Sequence, residues 1–196
     1  MGKIFCLMGK SSSGKDTIYK VLLDQNEIPF QRIIPYTTRP IRSGEKNGVE
    51  YFFTDENGLE MLIEQQKVVE QRAYQTVYGI WKYFTVDDSQ VDFSSGNYLV
   101  IGTLESYDKL RKYYGEAFVL PIYIEVDDGL RLQRALDRER MQDKPKYAEM
   151  CRRFLADEED FSEERIAEAG IERRFINEDL QVTVKEILSY IKETLI

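Results

Sequence analysis

Apolar residues follow two alternating rhythms along the chain. Short continuous runs occur at 3–8, 31–36, 97–102, 118–126 and 172–177, with the length and aromatic or β-branched content of buried strands. Between them, apolar positions recur every three or four residues over 15–25, 103–114, 128–140, 146–168 and 181–194, the spacing of one helix face. Such alternation predicts an α/β fold: a central parallel sheet with helices on both faces. Residues 37–90 break the rhythm. They are rich in Tyr, Phe, Thr and Gly, with strand-like runs at 49–54, 67–73 and 77–85 and a helical pattern over 56–65. This stretch reads as a small α+β lobe inserted between the second and third core strands, leaving 1–36 and 91–196 as the core. The chain shows no internal repeat and no low-complexity linker.

Its 196 residues are enough for one core and a small lobe. No apolar run reaches the roughly 18 residues a membrane span needs, and the start leads straight into a strand, so neither membrane nor signal peptide is expected. Cys6 and Cys151 lie far apart in core-like patterns, which points to reduced thiols and a cytoplasmic protein, monomer or homodimer. A net charge of −8 excludes nucleic acid as a partner over a broad surface. The charge is uneven: Arg131, Arg134, Arg138, Arg140, Lys144, Lys146, Arg152 and Arg153 cluster in 131–153, a local basic patch suited to a compact anion. A solvated helix face is the plainer reading of any one of these arginines. Histidine is absent, which removes histidine bases, Ser-His-Asp triads and histidine-ligated zinc. Phosphoryl transfer tolerates that absence, because it works mostly by positioning and charge neutralisation.

Residues 9–17, Gly-Lys-Ser-Ser-Ser-Gly-Lys-Asp-Thr, lie between a strand and a helix. A Ser/Gly-rich turn could look similar, but Gly9, Gly14 and Lys15 fit the phosphate loop G-x-x-x-x-G-K in the setting that loop requires. Backbone amides across Gly9, Ser11, Ser12, Ser13 and Gly14, with the helix N-terminus and the Lys15 charge, would hold the phosphates of ATP. Asp16 replaces the usual Ser/Thr magnesium ligand and Thr17 follows it, so Thr17 or Asp16 is expected to meet Mg²⁺ directly or through water. A second anion site is expected at Arg39, Arg42 and Tyr51, where two guanidinium forks and a phenol could grip a phosphate.

Thr37-Thr38-Arg39-Pro40-Ile41-Arg42-Ser43-Gly44-Glu45 through Gly48 and Tyr51 to Phe53 resembles the T-T-R-x-x-R-x-G-E-x-x-G-x-x-Y-x-F signature of guanylate kinases. The resemblance extends over nearly the whole chain, through Val69-Glu70, Tyr78-Gly79, the 131–153 arginines and Asn177-x-Asp179-Leu180. It implies a P-loop kinase with an inserted acceptor-binding lobe and an arginine-rich lid at about 137–150. It implies that Arg39, Arg42, Tyr51 and Tyr78 hold the acceptor phosphate, Glu45 supports the loop and Glu70 reads the guanine edge. Arg134, Arg138 and Arg153 would stabilise the transferring phosphoryl, with Arg152 competing for the last role, and Asn177 would lie near the adenine.

The departures concern the base. Pro35 stands where the motif opens with serine, Ile80 follows Tyr-Gly, and Val100-Ile101-Gly102-Thr103 lacks both aspartates of the family's third strand. Asp16 and the third strand also resemble ribose 1,5-bisphosphate phosphokinases of the same fold. A catalytically silent binding module is the remaining alternative, opposed by Gly14, Lys15 and the lid arginines.

Overall fold

The computed structural model describes residues 1–76 and 79–195. In chain order, β1 (Ile4–Met8) leads through a loop to α1 (Lys15–Asp24), followed by β2 (Phe30–Arg32), β3 (Tyr36–Thr37), β4 (Phe52–Phe53), α2 (Glu56–Glu64), β5 (Val68–Thr76) and β6 (Gly79–Val86). Then come β7 (Asn97–Ile101), α3 (Leu104–Tyr114), β8 (Val119–Glu125), α4 (Asp128–Arg140), α5 (Tyr147–Asp160), α6 (Glu163–Glu168), β9 (Arg174–Ile176) and α7 (Leu180–Leu195).

β1 is buried from end to end because it is the middle strand of a five-stranded, all-parallel sheet ordered β2-β7-β1-β8-β9. Its side chains alternate between two cores. Ile4, Cys6 and Met8 pack with Tyr98, Tyr107, Leu110 and Ile166 on the α3 and α6 face. Phe5 and Leu7 pack with Ile18, Leu22, Phe175 and Ile187 on the α1 and α7 face. The continuous apolar run of β1 thus reflects a strand covered on both faces. A second, four-stranded sheet, ordered β4-β3-β6-β5, packs Phe84 and Val86 against Leu59 of α2.

Three sequence expectations change. The 31–36 run splits between sheets: the Ile34 amide donates to Gln90 Oε1 at 2.8 Å, Gln90 Nε2 donates to the Ile34 carbonyl at 3.2 Å, and Pro35 has no N–H to extend the ladder. The helical run 146–168 breaks at Phe161, which turns into the core, and Ser162 caps α6 by accepting from the Arg165 amide. Cys151 is exposed, since α5 buries none of its residues, whereas Cys6 is fully buried. Among the described residues, no helix is long and apolar enough to cross a membrane.

Candidate active site

The loop between β1 and α1 is held open at its helix end. Gly9 has φ 152°, and a Cβ there would lie 2.4 Å from the Ile124 carbonyl oxygen of β8. Ser12 and Gly14 are also left-handed, at φ 64° and 86°. Helices α2, α3, α4 and α6 each begin under a capping side chain (Asp55, Thr103, Asp127, Ser162), but α1 begins at Gly14 with none. The Thr17 and Ile18 amides turn back to the Gly14 carbonyl, while those of Lys15 and Asp16 have no acceptor among the described residues. The Ser12 and Ser13 hydroxyls are buried without a partner, and Lys15 is half-buried with no ion pair among the described residues. Open amides at an uncapped helix start, orphan hydroxyls and an unneutralised ammonium together form an anion site. Asp16 and Thr17 are exposed on the first turn of α1. Among the described residues no group of three potential ligands could hold a metal alone. The oxygen donors of Asp16 and Thr17 fit a magnesium ion shared with a nucleotide's phosphates, since that ion keeps most of its shell as water and phosphate oxygen.

Asn177 braces the loop from behind. It is buried, and its Nδ2 donates to the Ser13 carbonyl at 2.8 Å, while its own amide donates to Glu125 O at 2.8 Å. Arg134 Nη2 donates to the Asn177 carbonyl at 3.0 Å, so Arg134 is tied to the loop through this residue. On the opposite side, Arg131 and two carboxylates that the sequence did not single out, Asp157 and Glu158, fasten α5 to the loop. Arg131, only 1% exposed, donates to Asp128 (2.8 Å), Asp157 (3.1 Å), Glu158 (2.8 Å) and the Ser11 carbonyl (3.2 Å), with its guanidinium 4.4 Å from the Phe154 ring centre. Asp157 accepts the Ser11 amide at 2.8 Å and Glu158 accepts Lys10 at 2.7 Å. Two sequence signals point to Arg131: its place in the basic patch and its i, i+3 spacing from Asp128.

Of the residues expected to hold a second anion, Arg39 is buried between the rings of Tyr51 and Phe53 at 5.2 and 5.4 Å. Its fork meets Glu45 at 2.9 and 2.8 Å, and Glu45 also accepts the Arg42 amide at 2.8 Å. The hydrogen bond from Arg39 is the main reason the Glu45 carboxyl falls from 4.5 to about 2. Glu45 thus ties the Arg39 side chain to the Arg42 backbone. Arg42 is exposed, its guanidinium 5.9 Å from the Trp81 ring centre. Burial raises the Tyr51 phenol, whose ring meets Tyr83 at 5.6 Å. Glu70 is buried and bonded to Arg72 and Thr85. Thr103, where an aspartate was missing, is the capping residue of α3. Tyr78 lies outside the described residues.

The remaining arginines are not gathered at the loop. Arg138 is exposed on α4 with no ion pair among the described residues. Arg152 and Arg153 on α5 both donate to Glu149, at 2.8 and 3.0 Å, and Arg152 chiefly holds that carboxyl near 2.

A family model described as guanylate kinase matches residues 1–192. A guanylate kinase from Bacteroides thetaiotaomicron is 32% identical over 99% of this chain and 90% of its own length. Another from Wolbachia pipientis wMel is 28% identical over 98% and 90%. The crystal structure of guanylate kinase from Anaplasma phagocytophilum superimposes with a TM-score of 0.65 at 18% identity, over 98% of this chain and 85% of that one.

Proposed function

Since the chain belongs to the guanylate kinase family, we propose that it transfers the γ-phosphoryl group of ATP to GMP or dGMP, releasing ADP and GDP or dGDP. The observation that carries this reaction is the open phosphate loop: free amides at the start of α1, two orphan hydroxyls and Lys15 without an ion pair among the described residues. The alternative sugar-phosphate acceptor draws no support from the relatives, which are named guanylate kinases.

The loop amides and Lys15 would hold the donor phosphates, and Arg42 and Tyr51 the acceptor phosphate, against the Arg39–Glu45 brace. That phosphate is ionised near neutral pH, so its oxygen attacks the γ-phosphorus without a base, in keeping with a chain that has no histidine. Arg134, Arg138 and Arg153 would meet charge on the transferred group after 137–150 closes. Magnesium, bound with the donor phosphates, would neutralise charge there, with Thr17 and, through water, Asp16 as its protein ligands.

Turnover of a panel of monophosphates with ATP and Mg²⁺ tests the proposal. GMP or dGMP should be the best acceptor class member among common nucleotides, and Lys15→Ala should lower kcat/KM by about 10²–10³-fold. Robust transfer to a phosphosugar with none to GMP would refute it.

A further inference from the structure

Glu70 and Arg72 sit two apart on β5, so their side chains leave the same face of the second sheet. Their contacts leave the pair unequal. Arg72 Nε donates to Glu70 Oε2 at 3.0 Å and Nη2 to Oε1 at 3.3 Å, and the Thr85 hydroxyl donates to Oε1 at 2.9 Å. The Glu70 side chain is 1% exposed and that of Arg72 is 14% exposed. The carboxylate expected to read a purine edge is therefore engaged and covered on both oxygens. The guanidinium is engaged along only one side. Nε and Nη2 share that side, which leaves the end-on pair, one Nη1 hydrogen beside the second Nη2 hydrogen, without a partner among the described residues.

Arg72 lines a crevice of about 820 Å³ together with Tyr74, Thr103, Glu105, Asp108 and Arg165. It is also adjacent to the acceptor-phosphate cluster. Arg72 pairs across the ladder with Tyr83, and the Tyr83 ring touches Tyr51, which stacks on Arg39. Glu105, Asp108, Asp160 and Glu168 outnumber Arg72 and Arg165 among the charged groups lining the crevice, an unfavourable surrounding for a second phosphate. What enters beside Arg72 should be neutral and rich in hydrogen-bond acceptors.

We propose that Arg72 is the specificity-determining residue of the acceptor site: oriented by Glu70 and Thr85, it reads the O6 and N7 of a 6-oxopurine nucleoside monophosphate. A planar guanidinium edge matches those two acceptors, as arginine does on guanine in duplex DNA. Adenine presents a 6-amino donor there and meets a donor with a donor. The 2-amino group of guanine, on the other edge, finds Glu70 already occupied and goes unread. The acceptor class is then the 6-oxopurines together, GMP and IMP alike, with AMP refused. This rests on the kinase function proposed above.

The test compares kcat/KM for GMP, IMP, AMP and 7-deaza-GMP, in the unaltered protein and in Arg72→Ala. GMP and IMP should agree within about tenfold, while AMP and 7-deaza-GMP fall about 10- to 100-fold below GMP, the scale of a lost bidentate base contact. Arg72→Ala should raise KM for GMP and IMP with kcat little changed, and should abolish the penalty for removing N7. The unaltered protein alone decides the matter if the variant does not fold. GMP preferred over IMP by more than about 100-fold, or 7-deaza-GMP equal to GMP, overturns the inference and leaves the kinase function standing. Turnover of no purine monophosphate overturns both.

Discussion

Gly14 satisfies two demands at once. Its φ of 86° is left-handed, and a Cβ on it would lie 2.3 Å from the amide nitrogen of Asn177, the residue that braces the loop. Gly14→Ala should therefore cost about 1–3 kcal/mol of stability and raise the KM for ATP by more than its effect on the KM for GMP. Glu45 belongs to the same scale. Its folded pKa of about 2 lies below the ordinary 4.5, so its contribution is whole above pH 4.5 and is lost as pH falls toward 2. Glu45→Gln should remove this acid-sensitive part: acid titration of the variant should show a shallower loss of stability between those values. The two thiols give a third check. Burial raises Cys6 to about 12, while Cys151 is exposed, so an alkylating reagent at pH 8 should add one group to the native protein and a second only after denaturation. Lys15, Arg39 and Arg42 were legible in sequence because fixed spacing sets them beside a strand. Asp157 and Glu158 were not, because a carboxylate on a charged helix looks solvated until the fold brings Ser11 and Arg131 to it.

Helix α5 shows the same limit at the scale of elements. Its periodicity is continuous with α6, and only the core's claim on Phe161 separates the two. No buried apolar face holds α5 in place; the bonds of Asp157 and Glu158 to Arg131, Ser11 and Lys10 do. Arg131→Leu would take one shared guanidinium from three carboxylates, leaving Asp157 the Ser11 amide and Glu158 and Asp128 the Lys10 ammonium. Asp128 and Glu158 remain half in water, so the loss should sit near the low end for a broken buried pair, about 3 kcal/mol, or a Tm lower by roughly 6–12 °C. Proteolysis should open α5 first in that variant, because only the Ser11–Asp157 and Lys10–Glu158 bonds would still tie it to the loop. The strand–helix alternation of the core was readable because each element buries a continuous stripe. β3 and β4, two residues each, carry too little pattern to be found.

At the scale of the molecule, the parallel order of the first sheet follows from its helical crossovers, and the break in rhythm at 37–90 was read as a small inserted α+β lobe. Motion between them is a consequence of the chemistry proposed: an open site would let water take the phosphoryl group. A bisubstrate ligand should draw residues 37–90 and 137–150 toward the first sheet and shrink the radius of gyration measured by small-angle scattering. An unchanged profile would show that closure is not part of the cycle.

The bond from Asn177 to Ser13 has a further consequence, in the order of synthesis. The loop at residues 9–17 is made long before its brace at residue 177. β1 likewise waits for β7 and β8 to flank it. Until then the nascent chain carries a glycine- and serine-rich turn with no wall behind it, so nucleotide cannot template folding early. A chain stalled or clipped before Asn177 would keep every residue of the loop and still fail to bind ATP, which makes nucleotide binding a report on whether synthesis has passed that residue.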